Sequence, residues 1–139
     1  MARHTPPNYV EKRRILFSET VTPEEIDEAV QMLIDDERLS EALDLLEKAG
    51  NEEKIRAVCK NARELADASV WLRAHRLLGE TPTPEMWEGL AEHALDLGKE
   101  HFARWAFDQA GMKDRAEAIR MQIEQRKMAR RKEDEKEEA

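Results

Sequence analysis

Apolar side chains at Ile26, Ala29, Val30 and Leu33 fall three and four positions apart, the spacing that lines one face of a helix. Thr22 followed by Pro23 marks its start, an N-cap hydroxyl before a first-turn proline, with Glu24 and Glu25 near the positive end of the dipole. This helix is expected to run to about Asp36. A second, from about Leu39, carries Ala42, Leu43, Leu46 and Ala49 to a left-handed stop at Gly50. A less regular middle hairpin follows. Ile55, Val58, Cys59, Ala62, Leu65 and Ala66 form one stripe, and Val70, Trp71, Ala74, Leu77 and Leu78 another before Gly79. Thr81-Pro82-Thr83-Pro84 breaks the pattern and restarts it. Trp87, Leu90, Ala91, Ala94 and Leu95 then lead to Gly98, and Phe102, Ala103, Ala106, Phe107 and Ala110 to Gly111. A final helix begins near Lys113 with Ala116, Ile119 and Ile123 at helical spacing.

At both ends the stripe is lost. Pro6-Pro7 and the run Glu11-Lys12-Arg13-Arg14 argue against a compact element in residues 1 to 20, although Tyr9, Ile15, Leu16 and Phe17 are candidates to dock on the first helix. From Arg126 to Ala139 the chain is charged on every side, the pattern of a frayed or disordered tail. The expected organisation is an arm (1–20), a helical domain (21–125) and a charged tail (126–139).

Part of the pattern occurs twice. Thr22-Pro23-Glu24 returns as Thr83-Pro84-Glu85, Ala42 as Ala103, Ala49-Gly50 as Ala110-Gly111 and Ala57 as Ala118, at a constant offset of 61 positions. A duplication of this kind points to stacked helix hairpins, each needing a neighbour to bury its apolar face. The fold class read from these features is all-α, with about seven helices.

The spacing Trp87-x2-Leu90-Ala91, then Ala103-x3-Phe107-x2-Ala110, resembles the tetratricopeptide repeat, and Ile26, Ala29, Val30, Leu33, Ala42, Leu46 and Ala49 fit it more loosely. Ala94 stands where that family has an aromatic, and Lys54 and Arg115 where it has proline. The Ala-Gly-ended helices are similar to coatomer- and clathrin-like repeats as well. The resemblance implies a right-handed solenoid of antiparallel hairpins, two of them tetratricopeptide-like around a degenerate one, closed by a carboxyl-terminal capping helix. It also implies a concave groove lined by the first helix of each hairpin. On this chain its positions are Glu24, Asp27, Gln31, Ile34 and Asp35, then Glu85, Glu88, Glu92, Leu95 and Asp96, and seven of these ten are carboxylates. Such a groove suits a basic or basic-amphipathic segment of another protein, with Ile34 and Leu95 as apolar footing. The bland alternative makes these acids solvated helix faces.

Charge sharpens the choice of partner. The total is −8, but residues 1–20 carry +2 and residues 112–139 carry +1, which leaves −11 on the body. Nucleic acid is an unfavourable ligand for that body, since phosphate neutralisation needs clustered Lys and Arg. Two basic clusters exist within the chain itself, Lys12-Arg13-Arg14 and the set Arg126, Lys127, Arg130, Arg131 and Lys132, so a second copy is also a candidate partner. The second cluster equally allows an alternative, a nucleic-acid-associated factor docking through its tail, although Glu133-Asp134-Glu135 follows it directly.

Catalytic chemistry is hard to place. There is no Gly-rich phosphate loop, paired-cysteine motif or nucleophile elbow. His93 and His101, near Glu88 and Glu92, match no familiar zinc spacing and read as surface or packing residues. His75 reads as the edge of the core, Cys59 as a small buried hydrophobe, and Trp71, Trp87 and Trp105 as packing residues. The expectation is a non-enzymatic protein-binding adaptor or scaffold with no cofactor and no metal. With one cysteine and no apolar run of ~20 residues, a cytoplasmic protein away from membranes is expected.

Overall fold

A computed structural model describes residues 5–17 and 21–138, and the remaining parts of the expected arm and tail lie outside the described residues. Among the described residues there are eight α-helices and no strands: α1 (Tyr9–Phe17), α2 (Pro23–Asp35), α3 (Leu39–Ala49), α4 (Glu52–Glu64), α5 (Ala68–Leu77), α6 (Pro84–Asp96), α7 (Glu100–Gln109) and α8 (Lys113–Glu138). They fall into two compact units, one ending at Pro82 and the other beginning at Thr83.

The duplication is visible in the elements. α2 and α6 have the same bounds at the offset of 61, and each is capped by the threonine hydroxyl that precedes its proline, Thr22 accepting from the amide of Glu25 and Thr83 from that of Met86. The second helices of the two copies also match. Both α3 and α7 begin after a basic residue, Arg38 or Lys99, whose side chain makes no cap hydrogen bond.

All three hairpins close through the same turn. The amide of Arg38 donates to Leu33 O, that of Asp67 to Ala62 O and that of Lys99 to Ala94 O, and the residue before each donor is left-handed: Glu37 (φ 58°), Ala66 (φ 52°) and Gly98 (φ 74°). This is the Schellman stop, which satisfies the last carbonyls of the first helix while reversing the chain. The middle hairpin, irregular by its stripe, is therefore regular in its backbone. Its turn was hidden because alanine fills the position that glycine marks in the last hairpin.

In the first unit α3 is central, packing against α1, α2, α4 and α5, while α4 also meets α2 and α5. Its core includes Val30, Leu33, Leu43, Leu46, Val58 and Trp71. In the second unit α7 packs between α6 and α8 around Leu90, Ala94, Ala103, Phe107 and Ile119. The alanines have a clear purpose: Ala42 and Ala103, equivalent positions, are both fully buried where paired helices approach closely.

The ends of the chain differ from expectation. The stretch read as an arm contains the helix α1, which makes eight helices among the described residues rather than about seven and docks on α3 instead of the first long helix. Ile15 supplies the apolar anchor at 1% exposure, and polar contacts complete the dock: Lys12 Nζ to Asp44 Oδ2 at 2.6 Å, Lys48 Nζ to Ile15 O at 2.9 Å and Arg38 to Pro7 O at 3.1 Å. Tyr9 and Phe17, two of the expected docking residues, point instead to solvent. At the other end the described part of the charged tail continues α8 without a break to Glu138. Burial nonetheless stops at Ile119, with Ile123 half-buried, close to where the apolar stripe ends.

Candidate interaction surface

The ten sequence-derived groove residues all lie on α2 and α6, but they do not form one class. Glu24, Gln31 and Asp35 are exposed on α2, and Glu85, Glu88 and Asp96 on α6. Asp27, Glu92 and Leu95 are half-buried, and Ile34 is buried in the core at 8% exposure. Ile34 therefore offers no footing to a ligand.

Three of the polar positions are engaged by the helix after next in their own unit, α4 for α2 and α8 for α6. Asn51 caps α4 through its carbonyl oxygen and donates from Nδ2 to Asp27 Oδ1 at 3.0 Å. Lys54 Nζ donates to Gln31, whose own Nε2 donates to Asp35 at 2.9 Å. In the second copy the equivalent of Lys54 is Arg115, and it pairs with Glu92, the equivalent of Gln31. Lys54 and Arg115 thus tie the first turn of α4 to the flank of α2 and the first turn of α8 to the flank of α6. Only Arg115 neutralises a carboxylate, that of Glu92, since the partner of Lys54 is an amide; Glu24 and Asp35 on α2, and Glu85, Glu88 and Asp96 on α6, stay exposed.

A second constellation joins residues that the sequence reading kept apart. Cys59 on α4 lies 3.3 Å from His75 Nε2 on α5, and His75 Nδ1 lies 3.2 Å from Glu80 Oε2. Glu80 accepts from Arg56 at 2.8 Å, and Arg56 also pairs with Glu52. Trp71 packs its ring edge against the imidazole at a centroid distance of 4.7 Å. The order thiol, imidazole, carboxylate is that of a nucleophile with its base and orienting acid. The chemistry is opposite, however. Burial, with the charge of Glu80 adding to it and Arg56 opposing, pushes the thiol up to about 11, so Cys59 is a protonated, hydrogen-bonded core residue. The spacing of 16 between Cys59 and His75 carries no helical signal, and only the α4–α5 packing brings them together.

His93 and His101 sit on α6 and α7, and among the described residues no three or more His, Cys, Asp or Glu side chains are placed to hold a metal ion. No described helix is long and apolar enough to cross a membrane. Of the three tryptophans, Trp71 and Trp87 are buried, while Trp105 is half-buried and lies edge-on to Trp87 at 5.1 Å. Comparison with protein-family models, with curated proteins and with solved structures finds no match.

Proposed function

We propose that the chain is a non-enzymatic protein–protein interaction module, an adaptor or accessory subunit of a cytoplasmic complex, and that its hairpins are repeats of a right-handed, tetratricopeptide-like solenoid. The repetition of cap and helix bounds in the first and last hairpins, and of the Schellman turn in all three, supports the repeat reading. The observation that carries the binding reading is the row of exposed carboxylates on the first helix of the last hairpin, Glu85, Glu88 and Asp96, on a helix whose opposite side is core. A basic or basic-amphipathic segment is the complementary ligand, steered by charge and therefore salt-sensitive.

The test is affinity capture with the full chain at low ionic strength, followed by mass spectrometry, then titration of the captured segment. Glu85→Lys combined with Glu88→Lys should weaken binding about tenfold or more with helicity unchanged. These two positions are chosen over Glu92, whose reversal would also confront Arg115. Unchanged affinity refutes the acidic row. Light scattering on the same sample reads self-association.

A nucleic-acid role has one observation in its favour, the exposure of Arg126, Lys127, Arg130, Arg131 and Lys132 on the continuous α8. Retention of RNA or DNA that falls with salt and disappears on deleting residues 126–139 would establish it in place of the first reading.

A further inference from the structure

We propose that the groove between α7 and α8 is a docking slot for an amphipathic helix with an acidic flank, contributed by a partner protein. This surface is separate from the acidic row on α6 and opposite to it in charge, and it stands whether or not that row binds anything.

The internal repeat supplies the geometry. An offset of 61 maps α3 onto α7 and α4 onto the first half of α8. In the first unit α5 packs on both α3 and α4 and covers most of the groove between them, leaving an opening of about 190 Å³ beside Glu47, Glu52 and Ile55. Arg73 of α5 donates to Ser40 O at 3.2 Å, Asp44 at 2.7 Å and Glu47 at 3.1 Å, and Glu80, just beyond α5, pairs with Arg56. The residues corresponding to Ser40, Asp44, Glu47 and Arg56 are His101, Trp105, Asp108 and Glu117. All four line one open cavity of about 400 Å³. A further cavity of about 240 Å³ shares His101 and carries the groove along α8 to Arg130.

The lining describes the occupant. Trp105, held edge-on by Trp87, and the buried Ala116 form an apolar floor in the first cavity, and the half-buried Ile123 continues it in the second. The rim has gained cations. Where the first unit has Leu43 and Glu52 the second has Arg104 and Lys113, and Lys127 and Arg130 extend the cationic edge. The carboxylates present are largely committed, Glu117 to Arg120 and Glu100 to Arg126, while Asp108 lies 3.8 Å from Lys113. The first-unit groove receives an arginine from its helix. The second-unit groove, in a chain of net charge −8, is suited to receive carboxylates. A surface that only ended the stack and stayed wet would need no indole and isoleucine beneath its cations.

The experiment uses the full chain and two fluorescein-labelled peptides of residues 66–80: one with Arg73→Glu and Arg76→Glu, the other unaltered. By anisotropy at low ionic strength the charge-reversed peptide should bind about tenfold or more tighter than the unaltered one. Arg104→Glu, at an exposed site, should remove that preference, and Trp105→Ala should weaken the reversed peptide with the circular dichroism spectrum retained. Equal binding of the two peptides overturns the proposal, as does insensitivity to Arg104→Glu. Heparin competing for the same residues but indifferent to Trp105→Ala also overturns it, since the charged rim alone would then suffice. So does light scattering that finds the slot filled by a second copy.

Discussion

The Arg115 guanidinium carbon lies 4.1 Å from the centroid of the Phe107 ring, over a side chain that is fully buried. The same guanidinium pairs with Glu92, so one residue of α8 covers the largest core side chain of α7 and grips α6. Arg115→Ala should destabilise the second unit by about 1 kcal/mol through lost stacking and packing. Arg115→Lys should recover only part of this, because an ammonium is a poor substitute for a planar stacked fork. Denaturant titration followed by tryptophan fluorescence reads both variants. Equal stability of wild type and Arg115→Ala would contradict the assignment.

Glu37 is the counterpart of Gly98 but occupies the left-handed region with a full side chain. Glu37→Gly should therefore stabilise the first unit by about 1 kcal/mol, the ordinary cost of that conformation for a residue with a Cβ. The reverse change, Gly98→Ala, should destabilise by a similar amount. Nothing lies within 4 Å of a Cβ built at Gly98, so the penalty there is conformational and not steric. Thermal midpoints moving in opposite directions would establish the pair.

Asp44 joins α1 and α5 to α3 through Lys12 and Arg73. Burial opposes its ionisation, but the hydrogen bonds from Lys12 and Arg73 outweigh that and hold its carboxyl below the usual range. The hydrogen bond from Arg38 does the same for Glu41. Both groups bind protons more weakly folded than unfolded, so their contribution is present above about pH 4 and lost as the pH falls through and below that value. Stability should decline over that acid range, with the amides of α1 losing exchange protection early. Asp44→Asn should flatten the pH dependence, and an unchanged slope would remove Asp44 from the account.

Cys59 should be nearly inert to Ellman's reagent at pH 8 in the folded protein and react with full stoichiometry in denaturant, since little thiolate is present when the pKa stands at about 11. The folded value is raised above the unfolded one. Its stabilising contribution is thus complete below about pH 9 and is lost as the pH rises towards 11. Prompt labelling of the native protein at pH 8 would contradict this.

The parts of the molecule that could be read from the chain are those with local causes. Thr22-Pro23 and Thr83-Pro84 start helices at those residues, and the stripes at Leu90, Ala94, Ala103 and Phe107 are core. α1 leaves no periodic mark on the sequence, because a nine-residue helix with a single buried apolar anchor, Ile15, has too few turns to display one. The resemblance to tetratricopeptide repeats places Ile34 on a binding face, whereas helix phase carries it into the core.

Caps, prolines and apolar periods act within a few residues along the chain, so the all-helical class, the near boundaries of the long helices and the pairing of two related segments are legible in the residues alone. Packing between distant helices is what sets Arg115 over Phe107 and against Glu92, brings Lys12 and Arg73 together on Asp44, and makes Cys59, His75 and Glu80 neighbours. The same holds for the groove that α5 largely covers beside α3 and α4 and that lies open between α7 and α8. Those relationships depend on which faces of distant helices are brought together, and no short-range period encodes that.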